Sequence, residues 1–300
     1  MRLSEIQNIV FEQMQIKDCE FDILYLIGKD YDNSKRPVTF LEDEKFLDQF
    51  IKSNMAGVIC TEEISRKIST LFEGGICITE RPKSVFFAFH NYLAKETDHY
   101  GNTTKTVIGN DTKIDSSSII SPVNVSIGKN VTIMPNVIIK ENVEIRDNVV
   151  IREGTILGTP AFSYFLQEKK RVLVESTGSV LIEENVELHS HVNIEKGSMG
   201  GKTIIGKNTK IDNNNLIGHD SHIGENCIIA GSCTLAGNVK VGNDCFLGIG
   251  VNISQNINIG NNARINMGAV VTKDVENHQS VSGNFAIEHS KFIENLKKNR

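Results

Sequence analysis

The feature that most constrains the fold of this chain is an apolar residue that recurs every six positions through its second half. An internal repeat of this short period is typical of a parallel β-helix, in which stacked repeats bury one continuous core. Three hexapeptides make one triangular coil, so residues eighteen positions apart stack vertically. Together with two earlier series, from Ile127 to Leu157 and from Ile182 to Ile194, the repeat predicts about eight coils. The longest series has the members Ile205, Ile211, Ile217, Ile223, Ile229, Leu235, Val241, Leu247, Ile253, Ile259, Ile265 and Val271.

A second column of small or β-branched residues lies four positions after each of these apolar residues. It includes Cys227, Cys233 and Cys245, which we interpret as core residues rather than reactive thiols. The turns need a positive φ, which Gly and Asn tolerate best. None of the six cysteines forms a CxxC pair, so we expect neither a disulfide framework nor a zinc site. Free thiols are typical of a cytoplasmic protein.

The first hundred residues lack the six-residue period and read as a mixture of helices and short strands. The apolar spacing from Ser4 to Gln15 predicts the first of these helices. We therefore predict an α/β domain at residues 1–104, a β-helix at 105–283 and a short C-terminal helix at 284–300. Two segments, Gly158–Ser179 and Ser198–Lys202, interrupt the repeat. Loops that leave a rigid solenoid usually build its binding face.

The charge balance excludes some classes of partner. Lys and Arg number 32 against 37 Asp and Glu, which gives a net charge of −5. A nucleic-acid-binding protein would need a basic surface instead. No stretch approaches the ~18 apolar residues that a membrane span requires. We therefore expect neither nucleic acid nor a membrane span.

The repeat places one histidine beside a glycine turn. His219 follows the inward Ile217 by two positions, and Gly237 stacks directly above it. Asn213 occupies the equivalent position on the neighbouring face. A histidine can take a proton from an attacking amine or hydroxyl, and a backbone N–H can stabilise the oxyanion of a tetrahedral intermediate. This group suits acyl transfer, with the adjacent Asp220 available to orient the ring; the alternative interpretation is a solvated surface histidine.

Four segments resemble those of left-handed β-helix acyltransferases, above all the UDP-3-O-acylglucosamine N-acyltransferases of lipid A synthesis. They are Val38–Phe46, Gly158–Tyr164, Val192–Gly197 and Ile211–Asp220, and the likeness extends from about residue 36 to residue 287. The resemblance implies that the β-helix is left-handed and that the N-terminal domain binds a nucleotide. It also implies that His219 is the general base, that Asn213 assists it and that the Gly237 amide lies in the oxyanion hole.

The same resemblance implies where the acceptor substrate binds. Phe40, Asp43 and Phe46 fall where the family places an aromatic residue, an Asn and a Tyr that hold uracil. The Asp and the Phe at the last two positions would change the contacts to the base. Phe162 and Tyr164 lie in a loop similar to the family's Gly-Phe-Gly-Tyr segment, and we expect them to contact substrate.

The last coil, Gly268–Val275, and the segment Ser282–Ala286 with Asn284 and Phe285 are similar instead to coenzyme A-dependent sugar and serine acetyltransferases. That resemblance implies acyl-donor binding at Gly268 and Ala269, whose backbone would contact the pantetheine arm, and at Lys273, which would meet a phosphate. The alternative is an ordinary end-cap of the solenoid. Some nucleotide-amino-sugar N-acyltransferases combine the two-domain plan with short acyl-CoA donors, acetyl or 3-hydroxyacyl.

The sequence thus favours an N-acyltransferase that moves an acyl group from acyl-CoA to the amine of a nucleotide-linked sugar for surface glycans. The mechanism requires no metal, and we expect a homotrimer because a triangular prism offers flat outer faces. Two alternatives stay open. One is the lipid A enzyme itself, with a 3-hydroxyacyl carrier protein as donor, and the other is a non-catalytic β-helix scaffold.

Overall fold

The fold was obtained from a computed structural model, which describes residues 1–10, 14–27, 34–101, 103–283, 286 and 288–298. The chain divides into two compact units. The N-terminal unit comprises Met1–Asn102 together with Phe162–Thr177. The second unit comprises Thr103–Ala161 and Gly178–Arg300. The longer of the two interruptions in the repeat is therefore mostly part of the N-terminal unit.

The N-terminal unit is built on a sheet with the order β1-β5-β4-β3-β2. All neighbours in it are parallel except β1, which pairs antiparallel with β5. The strands are β1 Gln15–Lys17, β2 Ile23–Leu24, β3 Pro37–Leu41, β4 Gly57–Cys60 and β5 Gly75–Ile78. The helices are α1 Leu47–Lys52, α2 Glu62–Ile68 and α3 Pro82–Glu96, with 3₁₀ helices at Leu3–Asn8 and Glu44–Phe46.

The helix expected from Ser4 to Gln15 is wrong in type and extent. The segment forms a 3₁₀ helix at Leu3–Asn8, and Gln15 already begins β1. Only Leu3 and Ile6 of this helix are buried. A spacing of three residues fits a 3₁₀ turn as well as an α-helix, so the apolar pattern did not distinguish them. Residues 11–13 of the expected helix lie outside the described residues.

A two-stranded hairpin, Tyr164–Gln167 paired with Lys170–Leu173, completes the N-terminal unit. The ring of Phe165 in the hairpin lies 5.7 Å from that of Phe87 in α3, measured between centroids. Asn91, also in α3, donates to the Leu173 carbonyl at 2.7 Å and accepts from the Glu175 amide at 2.9 Å. The hairpin is therefore held on α3 by both packing and hydrogen bonds.

The fully buried His90 adds a third link between α3 and the end of the hairpin. Its Nε2 lies 2.8 Å from the Glu175 carbonyl oxygen, and its Nδ1 lies 2.6 Å from the Tyr100 hydroxyl. A carbonyl only accepts, so Nε2 carries the proton and Nδ1 accepts from the tyrosine. Burial lowers the pKa of His90 from 6.5 to about 4, because the charged ring would lose its hydration.

We expect the N-terminal unit to lose stability as the pH falls from about 6.5 to about 4, since only the unfolded chain takes up a proton at His90 in that interval. The full effect is about 3 kcal/mol, and it is absent above pH 6.5. Thermal unfolding of the protein and of a His90→Gln variant across this interval measures it. The variant should show the shallower pH dependence; equal slopes would contradict the assignment. Replacement of the exposed His222 by Gln serves as the control.

The second unit is a parallel β-helix whose short strands stack into three sheets. The registers place Ile211 beside Ile229 and Ile217 beside Leu235, which confirms the spacing of eighteen predicted from the repeat. Within the described ranges, the first sheet contains Lys113–Ile114, Thr132–Ile133, Val150–Ile151, Glu187–Leu188, Lys210–Ile211, Ile228–Ile229, Phe246–Leu247, Arg264–Ile265 and Ser280–Val281. The second contains Ile119–Ile120, Ile138–Ile139, Ile156–Thr159, Asn193–Glu195, Leu216–Ile217, Thr234–Leu235, Asn252–Ile253 and Val270–Val271. The third contains Val107–Ile108, Val125–Ile127, Val143–Ile145, Ser179–Ile182, Lys202–Ile205, His222–Ile223, Lys240–Val241 and Asn258–Ile259.

The two residue columns of the repeat fill the interior of this prism. The apolar column is buried, and so are the three cysteines of the second column. Each of these thiols donates to a backbone carbonyl of the next coil, as Cys233 does to Gly248 at 3.1 Å. The turns carry left-handed residues, mostly asparagines such as Asn208, Asn226 and Asn238. A short polar side chain tolerates this conformation, which explains the asparagine-rich sequence.

A last helix, α4 His289–Lys298, follows the β-helix. The predicted fold class, an N-terminal α/β region, a β-helix of about eight coils and a short C-terminal helix, is thereby confirmed. Among the residues described, no helix has the length and apolar character needed to cross a membrane.

Candidate active site

The chemistry-bearing pair of the β-helix is His219 with Asp220, just after the second-sheet strand Leu216–Ile217. The His219 Nδ1 lies 2.9 Å from Asp220 Oδ2. The carboxylate side chain is 9% exposed and the imidazole 24%, so the acid is enclosed while the ring reaches solvent. With Nδ1–H donating to the carboxylate, Nε2 is left as the proton acceptor.

Gly237 lies directly against the ring of His219. A Cβ built on Gly237 would overlap His219 Nε2 and would lie 2.7 Å from Cε1 and 2.9 Å from Cδ2. The stacking expected from the spacing of eighteen thus brings the two residues together. In the described part of the chain no hydrogen bond engages the Gly237 N–H. A free amide beside the basic nitrogen is the arrangement that an oxyanion hole needs.

The backbone around the pair is held by side chains of the neighbouring coil. The His219 amide donates to Glu195 Oε2 at 3.0 Å, and the Asp220 amide donates to Thr203 Oγ1 at 3.0 Å. Burial raises the pKa of Glu195, although the hydrogen bond from His219 opposes the shift. Ser198 donates to the Asp220 carboxylate through both its hydroxyl and its amide. Sequence reasoning missed Ser198; its signal was its place in the shorter interruption of the repeat.

The structure does not bring Asn213 to His219. Asn213 follows a strand of the first sheet, so it lies at a different corner of the prism. Its Nδ2 donates to Asp212 Oδ1 at 2.7 Å, and its Oδ1 accepts from the Ser190 amide at 3.0 Å. Both ends of its amide are therefore occupied by that corner.

The three residues expected to hold the nucleotide base, Phe40, Asp43 and Phe46, differ in how accessible their side chains are. Phe40 is half-buried and packs against the ring of Phe86, with centroids 5.1 Å apart. Asp43 caps the 3₁₀ helix by accepting from the Lys45 amide at 3.0 Å, and it pairs with the Lys45 ammonium at 2.7 Å. Phe46 is 41% exposed, with Lys45 Nζ 4.9 Å from its ring centroid. Of the three, Phe46 presents the exposed aromatic ring.

A cavity of about 800 Å³ opens at the carboxyl ends of β3, β4 and β5 in the same unit. Such strand ends are a common place for ligands in α/β sheets. Four carboxylates and one guanidinium line the cavity, so its charge disfavours a diphosphate. None of the residues predicted from the sequence is among its described lining, which is Gln15, Glu42, Thr61, Glu62, Glu63, Ile78, Thr79, Glu80 and Arg81.

The hairpin carries an exposed aromatic pair. Phe162 is 85% and Tyr164 43% exposed, and their rings meet edge to face with centroids 5.1 Å apart. Exposed aromatic rings of this kind are typical of contact surfaces. Both sequence-predicted residues are therefore accessible to a ligand.

In the last coil, Gly268 has a φ of +68°, and a Cβ there would meet open space. Ala269 is buried and Lys273 is exposed. An exposed glycine turn beside a free lysine is compatible with a phosphorylated ligand. The part of the resemblance that rested on Asn284 and Phe285 lies outside the described residues. No group of three or more metal-ligating side chains occurs among the residues searched, which are the described ones.

The chain is similar to known proteins at the level of a family model and of solved structures. The family model for the bacterial transferase hexapeptide (six repeats) matches residues 124–159 and 202–237. A search of curated proteins finds no match. Among solved structures, the chain is similar to a UDP-N-acetylglucosamine acyltransferase from Campylobacter jejuni, with 26% identity and a TM-score of 0.54 over 60% of this chain and 68% of that chain.

Two other solved structures match with lower TM-scores. One is a UDP-N-acetylglucosamine acyltransferase from Francisella novicida, at 27% identity and a TM-score of 0.41 over 64% of this chain and 72% of that chain. The other is a mutant perosamine N-acetyltransferase from Caulobacter crescentus in complex with CoA and GDP-perosamine. It shows 16% identity and a TM-score of 0.25 over 83% of this chain and 81% of that chain.

Proposed function

We propose that this chain, an acyltransferase built on a hexapeptide-repeat β-helix, moves an acyl group from a coenzyme A thioester to the amine of a nucleotide-linked amino sugar. The acyltransferase class rests on the repeat model and on the likeness to the Campylobacter enzyme. The observation that carries the proposal is the His219–Asp220 pair, with Nε2 beside the free amide of Gly237.

The proposed reaction uses three groups of the chain. The amine nitrogen attacks the thioester carbonyl, so a C–N bond forms and the carbonyl becomes an oxyanion. His219 Nε2 takes the proton that the amine loses, while Asp220 holds the imidazolium through Nδ1. The Gly237 N–H stabilises the oxyanion. The C–S bond then breaks, and the thiolate leaves with the proton that His219 returns.

The choice of acceptor rests on the N-terminal unit and on a relative. The Campylobacter enzyme is named for a UDP-sugar substrate. An exposed aromatic such as Phe46 can stack on uracil or thymine, and Phe162 with Tyr164 offers a second such surface. Phe40 and Asp43 are proposed to support that binding loop rather than to contact the base, since each already has partners in the chain.

The choice of donor rests on the last coil. Gly268 and Ala269 are proposed to contact the pantetheine arm, and Lys273 a phosphate of coenzyme A, because the glycine turn and the lysine are accessible. The alternative donor is a 3-hydroxyacyl carrier protein, as in the lipid A enzymes, whose segments the chain resembles. We further propose a homotrimer, which gel filtration tests; a stable monomer would contradict it.

Acyl transfer with a matrix of donors and acceptors tests the proposed function. We expect the purified protein to acylate a UDP- or dTDP-linked amino sugar from acetyl- or 3-hydroxyacyl-CoA, with release of free thiol and a mass increase of the sugar. The same nucleotide sugar with a hydroxyl in place of the amine is the matched control. Transfer from acyl carrier protein but from none of the acyl-CoAs would contradict the donor, and no transfer from either would favour a scaffold. A thermal-shift panel supports the choice of ligands, since a ligand at 100 times its Kd stabilises the native state by about 2.7 kcal/mol.

A further inference from the structure

The shorter interruption of the repeat changes the surroundings of the His219–Asp220 pair. The register pairs Ile194 with Ile217 and Ile204 with His222, so nine residues lie between the paired positions in this coil and four in the next. The added residues carry Ser198 to the carboxylate of Asp220. The Ser198 hydroxyl donates to Oδ2 at 2.6 Å, and its amide donates to Oδ1 at 3.2 Å.

We propose that Ser198 is a positioning residue for catalysis, whose hydroxyl holds the Asp220 carboxylate aimed at His219 Nδ1. The proposal rests on the proposed function, in which His219 is the base. It gives the interruption at residues 198–202 a role in catalysis, which the proposed function does not assign.

The first argument is the enclosure of the carboxylate. Ser198 is 8% exposed, and the Asp220 side chain 9%. A carboxylate removed from water needs donors to remain charged. Oδ2 accepts from the Ser198 hydroxyl and from His219 Nδ1–H, so the serine shares the oxygen on which the imidazole depends.

The second argument is that the geometry is fixed from several sides. Asp220 has a left-handed backbone with a φ of +59°, and its amide donates to Thr203 Oγ1. The Cα of Gly201 faces Asp220 so closely that a Cβ there would fall 2.9 Å from Cγ and nearer still to Oδ1. The carboxylate therefore has little freedom, and the Ser198 hydroxyl is one of the groups that fix its orientation.

The third argument gives the proposal a signature in pH. A hydrogen bond from Ser198 spreads the negative charge of Asp220, so its loss would let the carboxylate hold the imidazolium proton more tightly. The acid limb of the kcat/KM profile should then move to higher pH. The other charged group that contacts His219 in the described residues is Glu195, which accepts from its amide. A Glu195→Gln variant shows whether the Glu195 carboxylate causes the acid limb. If it does, the acid limb of the kcat/KM profile is absent in this variant.

The experiment compares Ser198→Ala with the unaltered protein. We expect kcat/KM to fall by roughly tenfold at neutral pH, the ratio typical of a hydrogen bond to a charged group, with the KM for the acceptor unchanged. The acid limb should move to higher pH. Ser198→Thr keeps the hydroxyl and should restore both values. Ser117→Ala is the matched control, because Ser117 donates its hydroxyl to the carboxylate of Asp115 at 2.7 Å in the first coil.

The outcomes separate the two proposals. If His219→Ala is inactive while Ser198→Ala keeps the unaltered rate and pH profile, the role of Ser198 is overturned and the proposed function stands. A lower rate with an unchanged pH profile and no recovery in Ser198→Thr would assign Ser198 a purely structural role, which also overturns it. If His219→Ala is itself fully active, the base assignment fails instead. Should Ser198→Ala not fold, Ser198→Cys provides the comparison, since it keeps a side chain of similar size and replaces the hydroxyl by a weak donor.

Discussion

Replacement of His219 by alanine is expected to lower kcat by about a hundredfold to ten-thousandfold, the usual contribution of general acid–base catalysis. The ring is oriented by Asp220 at 2.9 Å and has its Nε2 beside the Gly237 turn. Without it the amine must lose its proton to water. The change is measured as the steady-state rate of acyl transfer from acyl-CoA, detected through the release of free thiol.

Two further variants test whether the loss of activity arises from His219 as the general base. Asp220→Asn keeps the shape of the side chain but removes the charge that holds Nδ1–H, so a substantial part of the loss should reappear. His222→Ala is the matched control, since His222 is an exposed histidine whose Nε2 contacts the backbone carbonyl of Lys202 at 3.1 Å. Full turnover by a folded His219→Ala protein would remove this residue as the base and leave substrate-assisted proton loss.

The repeat made part of this site predictable. The sheets keep a fixed register, with Ile217 beside Leu235, so a spacing of eighteen in sequence became a contact between His219 and Gly237. A spacing of six is different, because it moves to the next sheet. Asn213 precedes His219 by six and so lies on the neighbouring face, and the structure puts it at another corner, bonded to Asp212 and Ser190.

What the sequence could not predict lies where the period is broken or absent. Ser198 reaches Asp220 through an interruption of the repeat, and no pattern specifies the path of such a loop. In the N-terminal unit the cavity forms where separate strands end, so its lining residues come from distant parts of the sequence. The aromatic Phe40 fitted a binding motif, but its ring is half-buried against Phe86, which only packing reveals.

Gly237→Ala is expected to lower kcat/KM by roughly a hundredfold while the protein keeps its fold. The added Cβ would fall 2.7 Å from His219 Cε1, so the ring must move away by a distance of about one ångström, a displacement that costs about that factor in catalysis. The atoms it meets are the far end of a side chain, and Gly237 has no positive φ, so the backbone carries no strain. The loss therefore reports the geometry of the site.

A second glycine of the β-helix separates this effect from a general cost of added volume. A Cβ on Gly242 would meet backbone as well as a side chain, 2.5 Å from Asn261 Oδ1, 2.7 Å from the Asn261 amide nitrogen and 2.9 Å from the Gly260 carbonyl carbon. Backbone cannot move aside as a side chain can, so Gly242→Ala should lower the melting temperature through overpacking that costs about 1–3 kcal/mol. Its activity below that temperature should remain. The oxyanion hole at Gly237 requires that the ring of His219 and the turn stay in their present contact. A Gly237→Ala protein that loses stability but keeps its activity, or that keeps both, would therefore contradict the assignment of the Gly237 amide to the oxyanion hole.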